Sequence, residues 1–79
     1  MKTGKFARDG REMLVGDIVY FRCEGLCGRG EVYFAEKPDW LGEDLFRIRD
    51  TRPEKNFGRI YSYYPHARYR IDERKEERE

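Results

Sequence analysis

The sequence predicts a small, mostly β domain, and three observations lead to this prediction. The chain has 79 residues, which is room for a single domain. Its apolar residues occur in short runs rich in β-branched and aromatic side chains, separated by Gly, Pro, Asp and Asn, as is typical of strands and turns. The apolar spacing of three and four that indicates a core helix does not occur before residue 70. We therefore expect the core to come from strands.

The apolar residues also predict where the domain begins and ends. They lie between Met13 and Ile71, and the sequence outside them is almost wholly polar. We therefore predict a flexible N-terminal segment over residues 1–12, one β domain over residues 13–71, and a charged C-terminal tail over residues 72–79. The tail has helix-forming residues but no apolar face, so it would add nothing to the core.

Five runs predict the strands, over residues 17–23, 30–36, 44–49, 58–64 and 68–71. In the second run, Val32 and Phe34 recur with the period of two that is expected when one face is buried. Three glycines within residues 23–30 predict a hairpin connection, and Pro65, which has no N–H for the ladder, ends the fourth run. An antiparallel sheet of this size must curl into a small barrel or a two-sheet meander to cover its apolar face.

Both ends of this pattern resemble SH3-like barrels of the KOW and Tudor kind. The opening hairpin of those barrels is similar to Gly16-Asp-Ile-Val-Tyr-Phe followed by Gly25, Gly28, Gly30 and Val32. The short turn before their last strand resembles Tyr64-Pro65 followed by Tyr69. The resemblance covers most of residues 13–71 and implies a five-stranded antiparallel SH3-like barrel. It also implies a fold that binds RNA, DNA, ribosomal or polymerase surfaces, or peptide segments.

Charge is distributed unevenly along the chain. The formal net charge is +1, but residues 46–70 contain seven basic and two acidic residues, a local net charge of +5. A local positive field attracts polyanions and acidic protein surfaces. The sequence has no apolar run long enough to span a membrane and no hydrophobic signal at its N-terminus, so we expect a cytoplasmic protein without a membrane partner.

The residues that could carry catalysis or bind a metal are few, so we predict a protein that is not an enzyme. The single histidine, His66, lies beside a proline in a predicted turn, and no catalytic partners can be assigned to it. One histidine with Cys23 and Cys27 is too small a ligand set for structural zinc, and we expect no cofactor. The two cysteines either form a disulfide across the hairpin or remain free thiols that pack as small apolar side chains. We favour the second alternative.

The candidate site is an array of arginines and tyrosines on the last three predicted strands. If Phe46 and Ile48 point into the core, alternation turns their neighbours outward, and the same rule applies to the next two strands. The residues predicted to face outward are Arg47, Arg49, Arg59, Tyr61, Tyr63, Arg68 and Arg70. Arginine offers a planar fork to phosphate or carboxylate, and tyrosine offers a ring for stacking. Alternatively, the array has no binding role and only stabilises the sheet, because such cross-strand pairs contribute about 0.2–1 kcal/mol each to its stability.

Two functions are compatible with this array. The first is a non-catalytic module that contacts nucleic acid, or a nucleic-acid-handling machine such as a ribosome or an RNA polymerase. The second is a small adaptor or inhibitor that docks on a partner protein through a strand edge or through exposed aromatics, with Trp40 and Tyr33 as candidates. Arginine and tyrosine are also enriched at protein interfaces, so the sequence leaves the partner and the oligomeric state open.

Overall fold

The computed structural model describes residues 1–51 and 59–74, and it confirms the all-β prediction. The strands are β1 (Lys2–Phe6), β2 (Glu12–Leu14), β3 (Ile18–Cys23), β4 (Leu26–Phe34), β5 (Phe46–Asp50), β6 (Ile60–Tyr61) and β7 (Arg68–Glu73). Within the described ranges, no helix has the length and apolar character needed to cross a membrane.

Five of the strands form one antiparallel sheet in the order β6-β5-β4-β3-β7. The chain runs as a meander from β3 to β6, and β7 then returns to pair with β3. These are the five predicted strands, although β6 is only Ile60–Tyr61. Among the described residues β6 does not pair with β7, so the sheet remains open between them and is not a closed barrel.

One face of this sheet carries the core. Along β3, Val19 and Phe21 are fully buried, and along β7 the buried residues are Tyr69 and Ile71. The core consists of Ala7, Met13, Val19, Phe21, Val32, Phe46, Ile48, Tyr61, Tyr69 and Ile71. The Phe21 ring is the aromatic centre, with ring centroids 5.0 Å from Tyr61 and 5.6 Å from Tyr69. Such aromatic pairs stabilise a core beyond the area they bury.

Two glycines of β4 allow other parts of the molecule to approach this strand closely. A Cβ at Gly28 would lie 2.8 Å from two aromatic rings of the core, and a Cβ at Gly30 would overlap the backbone carbonyl of Arg49. The predicted hairpin is present, but its turn is only residues 24–25, with Gly25 at a φ of 73°. Assigning all three glycines to the turn was wrong, because two of them serve packing within the strand.

The N-terminal segment, which the sequence predicted to be flexible, contains a strand. β1 pairs with β2 in a two-stranded sheet, and the Thr3 hydroxyl donates to the Met13 carbonyl at 2.7 Å. Ala7 is buried in the core, and the Arg8 N–H donates to the Tyr69 carbonyl at 2.8 Å. The side chains of β1 alternate between exposed and half-buried, so a search for apolar runs could not find this strand.

The C-terminal boundary also differs from the prediction. β7 continues to Glu73, and Arg74 then forms a two-pronged ion pair with Asp17, with Nε–Oδ1 at 3.0 Å and Nη2–Oδ2 at 2.9 Å. Asp17 is buried in the turn before β3, where it also accepts the Leu14 N–H at 2.8 Å. Residues 72–74 therefore belong to the fold. The rest of the predicted tail, residues 75–79, lies outside the described residues.

Candidate functional site

The face of the sheet opposite the core, the outer face, carries the candidate site. Strand alternation and register place on it Ile18, Tyr20 and Arg22 of β3, Cys27, Arg29, Glu31 and Tyr33 of β4, Arg47 and Arg49 of β5, and Arg68, Arg70 and Asp72 of β7. Arginine is the most frequent residue in this set. The outer face therefore has the positive side chains that an anionic ligand requires.

An arginine pair, Arg22 and Arg68, stands directly opposite across β3 and β7. Both residues are exposed, and no carboxylate of residues 1–51 or 59–74 lies within ion-pair distance of either one. Like charges directly opposite each other destabilise an antiparallel pair of strands. The stability of the sheet therefore does not explain this arrangement.

The arginine pair borders an open groove of about 520 Å³ on the outer face. The groove is lined by Arg8, Asp9, Tyr20, Arg22, Arg68, Tyr69 and Arg70. Four arginines and one carboxylate give it a positive net charge. Asp9 is engaged by Arg11, which donates its backbone N–H at 3.0 Å and its Nε at 2.9 Å. These two hydrogen bonds, the backbone one first, hold the pKa of Asp9 below its ordinary value.

Asp72 does not line the groove, but it pairs with the groove residue Arg70 and neutralises part of its charge. Its carboxylate accepts the Nε–H of Arg70 at 2.7 Å and the Nε–H of Arg29 at 3.0 Å. The hydrogen bond from Arg70, reinforced by the one from Arg29, lowers the pKa of Asp72. The positive charge of the groove is therefore weaker at Arg70 than at the arginine pair.

Tyr20 provides an aromatic surface in the middle of the groove. Its neighbours across the strands are Arg70 on β7 and Arg29 on β4. The guanidinium carbon of Arg70 lies 4.9 Å from the Tyr20 ring centroid, which is a cation–π distance. The Arg70 guanidinium lies over this ring, and nucleobases stack both on aromatic rings and on guanidinium planes.

The predicted arginines do not all meet in this groove. Arg68 and Arg70 line it. Arg49 is exposed on the outer face of β5, with its guanidinium 4.6 Å from the Tyr33 ring centroid, and β4 separates it from β3. The guanidinium of Arg59 lies 5.1 Å from the Tyr61 ring centroid, on the core side of the sheet edge. The arginines predicted to form one continuous surface therefore lie in three separate places: the groove, the outer face of β5, and the sheet edge beside Tyr61.

Arg47 corrects the prediction most clearly, because it is only 1% exposed. It does lie on the outer face, but the loop between β4 and β5 covers it. Its guanidinium donates to the carbonyls of Phe46 at 2.9 Å, Gly42 at 3.3 Å and Asp44, and it forms an ion pair with Asp39 at 2.8 Å. The prediction of an accessible side chain was wrong because alternation determines the face of a residue but not what covers that face.

Tyr61, predicted to face outward, is in the core and only 2% exposed. It stands opposite the buried Ile48 across β5 and β6, so the two side chains must share a face. Its hydroxyl lies 3.4 Å from Asp50 Oδ2. Its neighbour Ile60 stands opposite the outward-facing Arg49 and shares the outer face with it. Residues 60 and 61 do alternate between the two faces of the sheet, as predicted. The prediction was wrong about which of them faces the core.

Tyr63, also predicted to face outward, packs against the core. Its ring stacks on the Tyr69 ring, with centroids 5.4 Å apart, and meets Phe46 edge to face at 5.3 Å. The Lys5 ammonium lies 4.4 Å from the Tyr63 ring centroid on the other side. Tyr63 therefore links the N-terminal sheet to the core and does not line the groove.

Sequence reasoning missed four groove residues, which are Arg8, Asp9, Tyr20 and Arg22. Tyr20 and Arg22 alternate with the buried Val19 and Phe21, so the same rule that selected later arginines would have placed them outward. Arg8 offered no local signal, because a contact of the N-terminal segment with β7 brings it to the groove.

The remaining candidates occupy other parts of the surface. Trp40 is 88% exposed in the loop between β4 and β5, and Tyr33 is half-buried beside Arg49. Both cysteines are free, and Cys27 is exposed on the outer face opposite Arg22. In the part of the chain that the structure describes, no group of three or more His, Cys, Asp or Glu side chains is placed to hold a metal ion.

Comparison with known proteins leaves the function to be inferred from this geometry. No family model matches the chain, and neither a curated protein nor a solved structure is similar to it.

Proposed function

We propose that this protein is a non-catalytic binding module whose groove holds the backbone of a single-stranded nucleic acid, either free or within a ribonucleoprotein. The observation that carries this proposal is the arginine pair, Arg22 and Arg68. In the isolated chain the two guanidinium groups repel each other. A phosphate bound between them would replace that repulsion with charge-assisted hydrogen bonds.

The shape of the groove favours a chain of phosphates over a single small anion. Arg68 and Arg70 are two residues apart on β7, so their Cα atoms are about 7 Å apart, which is on the scale of successive phosphates in an extended strand. Arg8 and Arg22 widen the positive surface across the neighbouring elements. An extended polyanion would contact several of these arginines at once.

A single strand suits the groove better than a duplex because Tyr20 would then have a base to stack on. Stacking on an aromatic ring accepts any base, so we expect weak sequence preference. The formal net charge of +1 predicts modest affinity, because few phosphates would be neutralised. Each neutralised phosphate of a single strand contributes about 0.7 to the slope of log K against log salt, so we expect a measurable but shallow salt dependence.

The strand order supports the interpretation of the fold as an open relative of the SH3-like barrel. After the meander from β3 to β6, the last strand returns to the first strand of the sheet. This connectivity brings the ends of a small sheet towards closure. Such a fold is compatible with nucleic-acid binding but does not by itself define the ligand.

The proposal is tested by titrating fluorescein-labelled oligo-dT and oligo-U with the protein and following fluorescence anisotropy at several salt concentrations. The double variant Arg22→Gln, Arg68→Gln should bind more weakly than the wild type. Its plot of log K against log salt should be shallower by about 0.7, because the one phosphate bound between the two arginines would no longer be neutralised.

Arg49→Gln is the matched control, because it removes an exposed arginine of the same face outside the groove. It should leave both affinity and salt slope close to those of the wild type. Equal weakening by the control would mean that overall charge, not the groove, governs binding. Absence of binding to both oligonucleotides at low salt would reject the proposal, and preference for a duplex of equal length would reject the single-strand assignment.

A further inference from the structure

Trp40 is the only tryptophan of the chain, and 88% of it is exposed. A single exposed apolar side chain is common on protein surfaces and proves nothing by itself. The turn that carries Trp40, however, is held by hydrogen bonds of its own backbone and by a buried arginine. These contacts are the evidence that Trp40 has a binding role.

The Trp40 turn, residues 39–42, is closed by its own backbone. The Gly42 N–H donates to the Asp39 carbonyl at 2.9 Å, and the Leu41 N–H donates to Asp39 Oδ1 at 2.9 Å. Gly42 has a φ of 123°, which other residues rarely adopt. These hydrogen bonds hold the backbone on both sides of Trp40 while its indole ring remains free.

A buried arginine clamps both ends of this turn from below. Arg47 Nη2 donates to Asp39 Oδ1 at 2.8 Å and to the Gly42 carbonyl at 3.3 Å. Burial of a guanidinium group carries a desolvation penalty, and Arg47 Nε has no hydrogen-bond partner among the described residues. Lys5 adds a second tie to the same loop through Asp44 at 2.6 Å. The burial of the Arg47 guanidinium is therefore costly, and its hydrogen bonds give the surface turn a defined shape.

The charge around Trp40 indicates the kind of partner. Residues 36–45 contain four carboxylates and one lysine, and because Arg47 pairs with Asp39 and Lys5 pairs with Asp44, the net charge around Trp40 is −1. Glu36 and Glu43 are exposed there, and no ion pair within the described chain engages them. These two carboxylates disfavour the approach of the phosphates of nucleic acid and anionic lipid. They complement a protein surface that carries basic side chains.

We propose that Trp40 is the anchor through which this chain docks on a partner protein that offers an apolar pocket with a basic rim. Arg47 is the positioning residue that holds this anchor. Tryptophan is among the residues most enriched at interface hot spots, and a preformed turn loses little entropy on binding. No residue that lines the groove belongs to this loop, so the proposal is independent of nucleic-acid binding.

The first experiment immobilises the wild-type chain and captures proteins from a nuclease-treated lysate of its native cells. Recovered proteins are identified, produced in pure form and titrated against the variants. Trp40→Ala should weaken a true partner about 30-fold, the loss typical of a truncated hot spot. The groove variant Arg22→Gln, Arg68→Gln should bind that partner as the wild type does. The proposal is overturned if no purified protein distinguishes Trp40→Ala from the wild type, or if the groove variant loses the binding instead.

The second experiment tests the positioning role through the fluorescence anisotropy decay of Trp40. Arg47→Met keeps the length of the side chain without its hydrogen bonds. It should loosen the backbone of the Trp40 turn, increase the mobility of the indole ring and weaken binding to the partner. Asp39→Ala removes the same clamp from the exposed side of the turn, so it serves if Arg47→Met does not fold. Unchanged indole mobility in the folded variant would overturn the positioning role.

Adding oligonucleotides or anionic vesicles to the isolated protein separates the alternatives. A blue shift of Trp40 emission with either addition would overturn the assignment to a protein partner. Trp40-dependent self-association, measured by light scattering, would do the same.

Discussion

Arg47 and Arg22 both lie on the outer face of one sheet, on different strands, yet their surroundings are opposite. Arg47 is 1% exposed and engaged with the loop above it, whereas Arg22 is exposed and faces another arginine. The connections explain the difference. Residues 35–45 follow β4 and fold over β5, whereas β3 is followed by a turn of only residues 24–25 that leaves its face open. Loop length, and not strand alternation, decides which outward arginines remain accessible.

The difference teaches that the same residue type serves two purposes in this domain. A buried arginine with several acceptors organises the fold, so its loss should be measured as lost stability. An exposed arginine without a carboxylate contributes charge to a surface, so its loss should be measured in binding. Substitutions that separate these two readouts test the comparison directly.

The largest expected effect belongs to Arg74, which extends the comparison to a buried ion pair. Arg74→Ala would leave the Asp17 carboxylate, 2% exposed, without its cation. We expect a loss of about 3 kcal/mol in the free energy of unfolding, measured by urea denaturation. Arg11→Ala is the control, because Arg11 pairs with Asp9 on the surface and should change stability by less than about 0.5 kcal/mol. A loss below about 1 kcal/mol in Arg74→Ala would contradict the structural role of the pair.

Arg47→Ala and Arg22→Ala form the next test, since they apply one substitution to the two sides of the comparison. Arg47→Ala removes the clamp and its packing, and should lower the free energy of unfolding by about 2 kcal/mol. Arg22→Ala relieves a like-charge repulsion and should stay within about 0.5 kcal/mol of the wild type. Equal losses in the two variants, measured by the same denaturation, would end the distinction between them.

A smaller effect is expected at Asp72, the carboxylate that pairs with the groove residue Arg70. Asp72→Asn releases Arg70 and Arg29 and removes one negative charge near the proposed phosphate site. A unit charge about 7 Å away in water contributes about 0.6 kcal/mol, so oligo-dT should bind about threefold more tightly. Glu31→Gln is the control, because Glu31 lies on the same face opposite Arg49. Weaker binding by Asp72→Asn would show that the carboxylate orients the arginines instead of competing with the ligand.

The smallest effect concerns acid stability. The pKa of Asp72 is lowered in the folded state by Arg70 and Arg29, and the pKa of Asp39 is lowered by the Leu41 N–H and then by Arg47. Because each folded pKa lies below the ordinary value of 3.8, the unfolded chain binds more protons as the pH falls. The free energy of unfolding should therefore decrease below about pH 4, and this decrease should be shallower in Asp72→Asn. Denaturation between about pH 2.5 and 6 measures it, and identical profiles would refute the contribution of Asp72.

Sequence reasoning recovered the five strands of the main sheet but only part of the candidate site. The strands were found because β-branched and aromatic runs end at turn residues, which is a local signal. Arg68 and Arg70 were found because Tyr69 and Ile71 alternate with them clearly. The sense of alternation failed at Tyr61, because residues 60–64 are apolar or aromatic at almost every position and allow either assignment. Register with the buried Ile48 resolved it.

By itself, the sequence determined that the fold is all-β, the number of strands in the main sheet and the arginine-rich character of the later strands. These properties depend on neighbours along the chain, and local patterns record them. The tertiary structure alone decided which arginines lie close together and which of them are accessible. It placed Arg68 opposite Arg22 through the return of β7, brought Arg8 to the groove, and covered Arg47 with the loop that carries Trp40. Accessibility and charge pairing depend on residues that are distant in sequence, and a local pattern contains no information about them.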